Sequence, residues 1–439
     1  MTKQSQPNNC LSSDNLDIKL LEDLKKSQIS FWVDSSGGPQ ELCKSSFYGV
    51  NPKYYIYGSL NEINLCESES GAITFAKENC FDFLEEKIKE EKGNPDGIFI
   101  GYFAYDLFQG NEKRNYPDFF FAYFDVIVRE NEVLTKQSRS LVHKLDQDCH
   151  ASLYSTCNDI FTSNMTDSEY LEKVKQIKEE IRAGNVYQVN LTREYSATVK
   201  NIDDLGLYLK LRSTSPNPYG CYFKTPFLSI LSSSPEEFLY INSKEKYIRT
   251  RPIKGTLTKD EFEIDPKNQA ENIMIVDLER NDLGRICEYG TVEAKKLLEI
   301  ESYKHLNHVV STVEGKLKSD IGLKKIFEAL FPGGSITGAP KISAMKIIEK
   351  VEPTKRGAYT GTFGYIKTDG TMDFNILIRT ILVQPELSLR VNEMSEAILD
   401  TFRVTFNVGG GIVADSNPES ELEETRLKAE GILGALSVG

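Results

Sequence analysis

The run GTFGYIKTDGTMDFNILIRTILV, residues 361–383, constrains the fold of this chain more than any other stretch. Two β-branched and aromatic segments flank Asp369-Gly370, and a glycine in that place accepts the left-handed backbone of a tight hairpin turn. A chain that pairs neighbouring segments in this way builds antiparallel sheet. Other strand-like runs fall in similar clusters. KYYIYGSL, GIFIGYFAYDL and FFFAYFDVIVRE come before residue 131, while VYQVNLTREYSATV and FRVTFNVGGGIVADS come later, the last read as a strand followed by a glycine loop. These runs do not alternate regularly with helices, so an α+β architecture is expected rather than a doubly wound parallel sheet.

Helical signals lie between the strands. TDSEYLEKVKQIKEEIRAG begins with Thr166 and Glu169 spaced as a capping box, carries an apolar stripe of Leu171, Val174, Ile177 and Ile181, and stops at Gly184. PKNQAENIMIVDLERNDLG reads as a helix ended by Gly284, and PKISAMKIIEKV as one with Pro340 in its first turn. PESELEETRLKAEGILGAL is the last helix, and a short one lies near NLDIKLLEDLKKS. The Asp/Ser/Asn-rich SLYSTCNDIFTSNMTDS reads as a connection between an N-terminal part, residues 1–150, and a second part, residues 165–439.

Composition excludes several classes of function. Hydrophobic residues make up 40% and charged residues 27%, an ordinary soluble balance. Lysine and arginine total 52 against 65 acids, a net charge of −13, and no basic run tracks a phosphate backbone, so nucleic acid is not an expected partner. An anionic substrate would need a local cluster of cations or a metal. No apolar stretch reaches the ~20 residues of a membrane span, and the polar first thirty residues are unlike a signal peptide. The cysteines at 10, 43, 66, 80, 149, 157, 221 and 287 form no CxxC pair. That pattern reads as reduced thiols, and a cytoplasmic location is expected.

Several positions carry chemistry. Lys254, in TRPIKGTLTKDE, sits in an apolar strand-to-turn segment, where it is either a snorkelling surface residue or a nucleophile. An amine attacks carbon only when neutral, which burial or nearby positive charge such as Arg249 and Arg251 would favour. Glu236 in SSSPEEFLY would be an acid facing it from an adjacent strand. FPGGSITGAPK lacks the Gly-Lys-Ser/Thr of a phosphate loop. It remains a tight loop delivering Thr337 and backbone N–H groups to a helix N-terminus, either a carboxylate site or a plain turn. Glu421, Glu424 and Lys428 share one face of the last helix, as a solvated ion-pair row or as part of a Mg²⁺ site with Glu271. Arg379 among isoleucines needs an anion, structural or substrate. His308 is a core residue or a site residue. Gln188, Asn190 and Thr192 alternate with apolar neighbours and share a strand face.

SPEEFL, TRPIKGT, ENIMIVDLERNDLGRI, FPGGSITGAPKISAMKIIE, RGAYTGTFGYI, IRT and GGGIVADSNPESELEETRLKA stand together in the order and spacing of the chorismate-utilising enzymes. That family includes anthranilate synthase component I, aminodeoxychorismate synthase component I, isochorismate synthase and salicylate synthase. The resemblance covers about residues 165–435, and SSFYGVNP and DGIFIGYFAYDL resemble the N-terminal half of the first two. It implies large antiparallel sheets packed as a β-sandwich with helices outside. It also implies Mg²⁺ held by Glu271 and Glu424 with Glu421 nearby, and chorismate as substrate. Arg379, Tyr365, Lys428 and the backbone N–H groups of Gly409, Gly410 and Gly411 would meet the substrate carboxylates, with Thr337 and Gly338 at its ring. Glu236 matches the family's general acid and His308 its active-site histidine. Asn268 departs from relatives that carry an acid one turn before the first metal ligand.

Two positions select among the family's reactions. Water-using relatives place a lysine base where this chain has Gln188, which disfavours isochorismate and salicylate synthesis. PIKGT, with Lys254, resembles the aminodeoxychorismate branch, whereas PIAGT resembles anthranilate synthases, the nearest alternative. The resemblance implies a covalent Lys254 adduct, with ammonia from a separate glutamine amidotransferase subunit, since no cysteine here lies in a G-x-C-x-G turn. FWVDSSGG resembles the region where anthranilate synthase binds tryptophan. Ser35 and Ser36 are candidates for such a pocket.

Overall fold

A computed structural model describes residues 13–39, 41–42, 46–110, 115–129, 161–386 and 401–437. Of the connection expected at 152–168, residues 152–160 lie outside the described residues, and the rest holds the short strand Thr162–Ser163 and the start of the Asp167–Arg182 helix. Among the described residues every strand pairing is antiparallel, and the strands collect into a ten-stranded and a twelve-stranded sheet. The central strands of the second sheet, Ile98–Phe103 and Phe119–Phe124, are buried at every position. Their unbroken apolar sequences follow from having both faces covered. One face packs on the first sheet, where Phe120, Phe124 and Phe363 meet Phe31, Phe223 and Leu382. The opposite face lies under helices, with Phe81, Val276 and Phe327 against Phe99, Phe103 and Phe374. The first sheet has its own helical cover, where Leu205, Leu209 and Ile432 pack on Val404 and Phe406. The fold is a β-sandwich with helices outside. Strands from the N-terminal region join both sheets: Ser30–Asp34 the first, Tyr54–Ser59 the second.

Local signals explain most boundaries. Thr166 and Glu169 form the capping box at the start of Asp167–Arg182. The hairpin Thr362–Lys367 and Met372–Asn375 turns through Gly370 at φ +84°. Three expectations need correction. The Pro266–Ile286 helix runs through Gly284 and ends at Cys287, because Asp282, Leu283 and Ile286 are still buried in that turn. Pro340 caps the Lys341–Val351 helix from outside its first turn. Gly409–Gly411 form no loop: they lie within the strand Thr401–Ile412, paired with Asn190, Leu191 and Thr192. A Cβ on Gly409 would stand 2.5 Å from Leu191 O, and one on Gly411 2.6 Å from Gln188 Nε2. The described cysteines 66, 80, 221 and 287 are free and buried. No helix among the described residues is long and apolar enough to cross a membrane.

Candidate active site at a corner between the sheets

The chain passes twice between the sheets at one corner. Ser229–Ser234 belongs to the first sheet and Glu237–Asn242 to the second, leaving Glu236 in the crossing. Residues 376–379 cross back, from Met372–Asn375 to Thr380–Pro385. The crossings are stitched together: Ile376 N donates to Glu236 O at 3.1 Å, Ser234 Oγ to Ile376 O at 2.6 Å, and Ser233 N to Arg379 O at 3.1 Å. Arg379 takes φ +50° to make the bend. Glu236 and Arg379, far apart in sequence, are thereby fixed at the same edge of the sandwich.

Glu236 is buried, and its Oε1 accepts the Ile253 N–H at 3.1 Å. Burial pushes its pKa up to about 6, while the nearby Ser335 hydroxyl, the Ile253 N–H and Lys254 pull the other way. The Ser335 hydroxyl lies close without completing a hydrogen bond. Lys254, one residue beyond Ile253, keeps part of its surface accessible. Its pKa is lowered by burial against the attraction of Glu271, Glu236 and Glu424, with Lys428 adding to the fall. Carboxylates from the crossing, from the Pro266–Ile286 helix and from the Pro418–Ser437 helix thus converge electrostatically on one amine. Arg249 and Arg251 play no part in this, contrary to expectation. Arg249 grips Glu237 through two 2.8 Å bonds, and Arg251 pairs with Glu301.

The two helices also bring acids together. Burial raises the Glu271 pKa; Lys254 and Lys267 lower it, and Glu421 and Glu424 raise it further. Lys267 Nζ stands 3.9 Å from Glu271 Oε1 and 3.5 Å from Glu421 Oε1. Glu421 Oε1 also accepts from Ser416 Oγ at 2.6 Å. Burial raises the Glu424 pKa, but Lys428, 2.6 Å from Oε1, outweighs it and holds the carboxyl below its usual range. Lys428 also donates to Gly409 O at 2.8 Å. Gly410 lies beside both acids: a Cβ there would make ordinary contact with Glu421 at 3.5 Å and Glu424 at 3.6 Å. Among the described residues no three His, Cys, Asp or Glu side chains close around a metal by themselves. Mg²⁺ fits the donor type all the same, because it takes one or two carboxylates and completes its shell with water and substrate oxygen. The Asn268 side-chain amide donates to the helix cap Asp265 Oδ2, and its backbone N–H donates to Asp265 Oδ1 at 3.0 Å.

Two groups in this corner have polar capacity to spare. Gln188 is fully buried, and neither its Oε1 nor its Nε2 has a hydrogen-bond partner; the neighbouring Asn190 Oδ1 is also unsatisfied. A buried amide without partners costs about 1–3 kcal/mol, so this strand face is poised for a polar ligand. No carboxylate among the described residues lies within salt-bridge range of Arg379. Its guanidinium faces His308 Nε2 at 3.4 Å. Past Phe406, the edge of the glycine strand turned away from Gln188–Lys200 has no strand partner among the described residues, and of its backbone groups at 409–411 the Gly409 carbonyl is taken by Lys428. Thr337 is buried and its hydroxyl is spent within its own loop, on Gly333 O at 2.9 Å and Gly334 O at 3.2 Å. Gly338 pairs with Val189 at φ +145°, beside Gln188.

Tyr365 stands apart from these groups. It lines a separate pocket with Ser35, Phe47, Tyr219, Asp373 and Asn375, and Ser36 is not in that lining. Lys267, Asn272 and Ser335 are site neighbours that sequence reading passed over. Lys267 alone left a trace, four residues before Glu271 on a helix.

Residues 30–434 match the family described as chorismate binding enzyme. Aminodeoxychorismate synthase component 1 of Bacillus subtilis is 33% identical over 402 residues, covering 82% of this chain and 81% of that protein. Anthranilate synthase component 1 of Synechocystis sp. is 39% identical over 290 residues, 63% of this chain and 55% of the relative. The crystal structure of anthranilate synthase component I from Streptococcus pneumoniae shares the fold, with a TM-score of 0.69 at 24% identity, covering 98% and 95% of the two chains. This chain spans about half the length of the plant and cyanobacterial relatives it matches. Both sheets and all the corner residues from Glu236 to Lys428 fall within the matched span, and the chain belongs to the chorismate binding enzyme family.

Proposed function

We propose that the chain is an aminodeoxychorismate synthase component I, converting chorismate and ammonia to 4-amino-4-deoxychorismate. One observation carries this above the others: an amine with lowered proton affinity, Lys254, shares a buried corner with a carboxyl of raised pKa, Glu236. Shifts in those directions favour the neutral amine that a nucleophile requires and the protonated carboxyl that a general acid requires. The Lys254 nitrogen bonds to C2 of chorismate, the ring double bonds shift, and the C4–O bond breaks as Glu236 gives its proton to the departing hydroxyl, releasing water. Ammonia then bonds to C4, the electrons shift back, and the C2–N bond to Lys254 breaks. The spare ammonium proton passes to the Glu236 carboxylate. Chorismate and ammonia thus yield aminodeoxychorismate and water, with both side chains restored.

The remaining corner groups bind and orient. Arg379, with no carboxylate of its own, and the open backbone edge at 409–411 receive substrate carboxylate, and the Gln188 amide supplies hydrogen bonds at the ring. Gln188 is neutral and cannot activate water, which keeps hydroxide from competing with ammonia. Glu271 and Glu424, with Glu421 beside them, would hold Mg²⁺, which as a bound Lewis acid neutralises substrate carboxylate charge. Lys267 and Lys428 balance these acids. The ammonia comes from a separate glutaminase subunit, and the enzyme works in the cytoplasm on the path to para-aminobenzoate and folate. The pocket at Ser35 would take tryptophan.

The test is product identity. Incubated with chorismate, Mg²⁺ and ammonium, the chain is expected to give aminodeoxychorismate, trapped by its lyase as para-aminobenzoate. Fluorescent anthranilate as the main product would establish the anthranilate synthase alternative instead.

A further inference from the structure

Lys254 does not sit in a regular strand. Ile253 pairs with Val310 and Thr256 with His308, so two residues, Lys254 and Gly255, stand opposite the single Val309. That two-against-one count is a β-bulge, which breaks the ladder and re-aims a side chain. Gly255 adopts φ +102°, and a Cβ there would press on Val309 at 3.1 Å and on Asn268 at 3.3 Å. The bulge therefore lies against the Pro266–Ile286 helix, and the next turn of that helix reaches it with Asn272.

Asn272 Nδ2 donates to Lys254 O and to Val309 O, both at 3.4 Å, and so spans the bulge from one strand to the other. The amide is held in one orientation, because Ser311 Oγ donates to Asn272 Oδ1 at 2.5 Å while accepting the Leu298 N–H at 3.0 Å. Asn272 and Ser311 are both buried. An aspartate would lack the donors and a leucine would lack both functions, so the position calls for a carboxamide. Val309 follows His308 directly and Asn272 follows Glu271. One side chain thus ties together the backbones that present the amine, the histidine and a candidate metal ligand.

We infer that Asn272 is a positioning residue: its carboxamide, oriented by Ser311, pins the Lys254–Gly255 bulge and aims the Lys254 amine at the substrate ring. The inference deepens the proposed amination and rests on it for its kinetic part. Asn272 touches no reacting atom. It governs where the amine nitrogen sits, and a displacement of about 1 Å at a nucleophile costs on the order of 100-fold in rate.

The test uses the full chain with Asn272→Leu and Ser311→Ala. With chorismate, Mg²⁺ and ammonium, kcat is expected to fall about 30-fold in the first and about fivefold in the second, while KM for chorismate stays within about twofold. Independently of turnover, a short acetic anhydride pulse read by peptide mass spectrometry should change Lys254 acetylation at least about threefold in Asn272→Leu, with Lys428 in the same corner as the internal standard. Wild-type kcat together with wild-type Lys254 acetylation in the folded variant overturns the inference, as does a loss confined to KM. If Asn272→Leu does not fold, Ser311→Ala decides by the same two readouts. The acetylation comparison needs no product, so failure of the amination itself would show separately, as wild-type chain that makes no aminodeoxychorismate while the Lys254 labelling still depends on Asn272.

Discussion

Arg379 Nη2 donates to His308 Nε2 across 3.4 Å, and this contact decides which ring nitrogen carries the proton. A guanidinium only donates, so Nε2 accepts and the proton sits on Nδ1, facing Thr256 Oγ1 at 3.3 Å. Burial, then the Arg379 charge, pushes the imidazole pKa down to about 3 from 6.5. The neutral ring is at no disadvantage above pH 6.5. Between 6.5 and 3 only the unfolded chain takes up the proton, so stability drains as pH falls. His308→Gln should remove that loss, leaving the variant about 2 kcal/mol less sensitive than wild type to a change from pH 7 to pH 5. Urea denaturation at the two pH values checks it, and parallel losses in both proteins would refute the neutral, buried histidine.

Arg379 itself is predicted to serve binding more than chemistry. Lysine keeps the charge but loses the planar fork that meets a carboxylate with two bonds. Arg379→Lys should raise KM for chorismate by about 10-fold or more with a smaller change in kcat. An unchanged KM in steady-state kinetics would mean that no substrate carboxylate meets this guanidinium.

Lys254→Ala should keep the fold and lose aminodeoxychorismate formation by on the order of 1,000-fold, since the covalent route is gone. Ammonia could then reach C2 directly, so a trace of anthranilate is expected by fluorescence. Wild-type yields of aminodeoxychorismate from this variant would end the lysine mechanism.

The corner was partly legible in the sequence because helical and strand periodicities place side chains on faces. Glu421, Glu424 and Lys428 were readable as one helical face, and the Gln188 face of its strand was readable from alternation. What periodicity cannot report is where the chain changes sheet. Glu236 and Arg379 come to one edge of the sandwich only because two crossings share it, and nothing local to either segment encodes that. The same limit explains Arg249 and Arg251: adjacency along the chain suggested that they lower the Lys254 pKa, yet strand alternation and pairing turn them to Glu237 and Glu301. The motif places Tyr365 among the substrate-binding groups, but the hairpin carries it to the pocket with Ser35. The bulge at Lys254–Gly255 was invisible for a related reason, since a glycine after a lysine suggests a turn as readily as a bulge.

Metal dependence is expected to pass through Glu424. Replacing it with glutamine removes a hard anionic oxygen and frees Lys428 from its 2.6 Å partner. The Mg²⁺ concentration for half-maximal activity should rise by about 10-fold or more. Calorimetric titration of Mg²⁺ provides a second readout, and an unchanged titration would remove Glu424 from the ligand set.

Glu236 offers the most stringent prediction, because its two consequences run in opposite directions. As general acid it must carry a proton, so Glu236→Gln should lower kcat by about 100-fold or more. In wild type, kcat/KM should decline as pH rises through about 6, the folded pKa of this carboxyl, and that limb should be absent from the residual activity of the variant. The folded value of about 6 lies above the ordinary 4.5, so the folded chain holds the proton more tightly than the unfolded one. Stability from the protonated form is complete below pH 4.5 and is lost as pH rises through 6. At pH 8 the buried carboxylate therefore destabilises wild type by about 2 kcal/mol, a burden that neutral glutamine does not carry. Glu236→Gln should be the less active protein and, at pH 8 but not at pH 4, the more stable one. Equal stabilities at pH 8 in denaturant titrations would show that Glu236 is ionised without penalty, and a carboxyl of that kind has no proton to give.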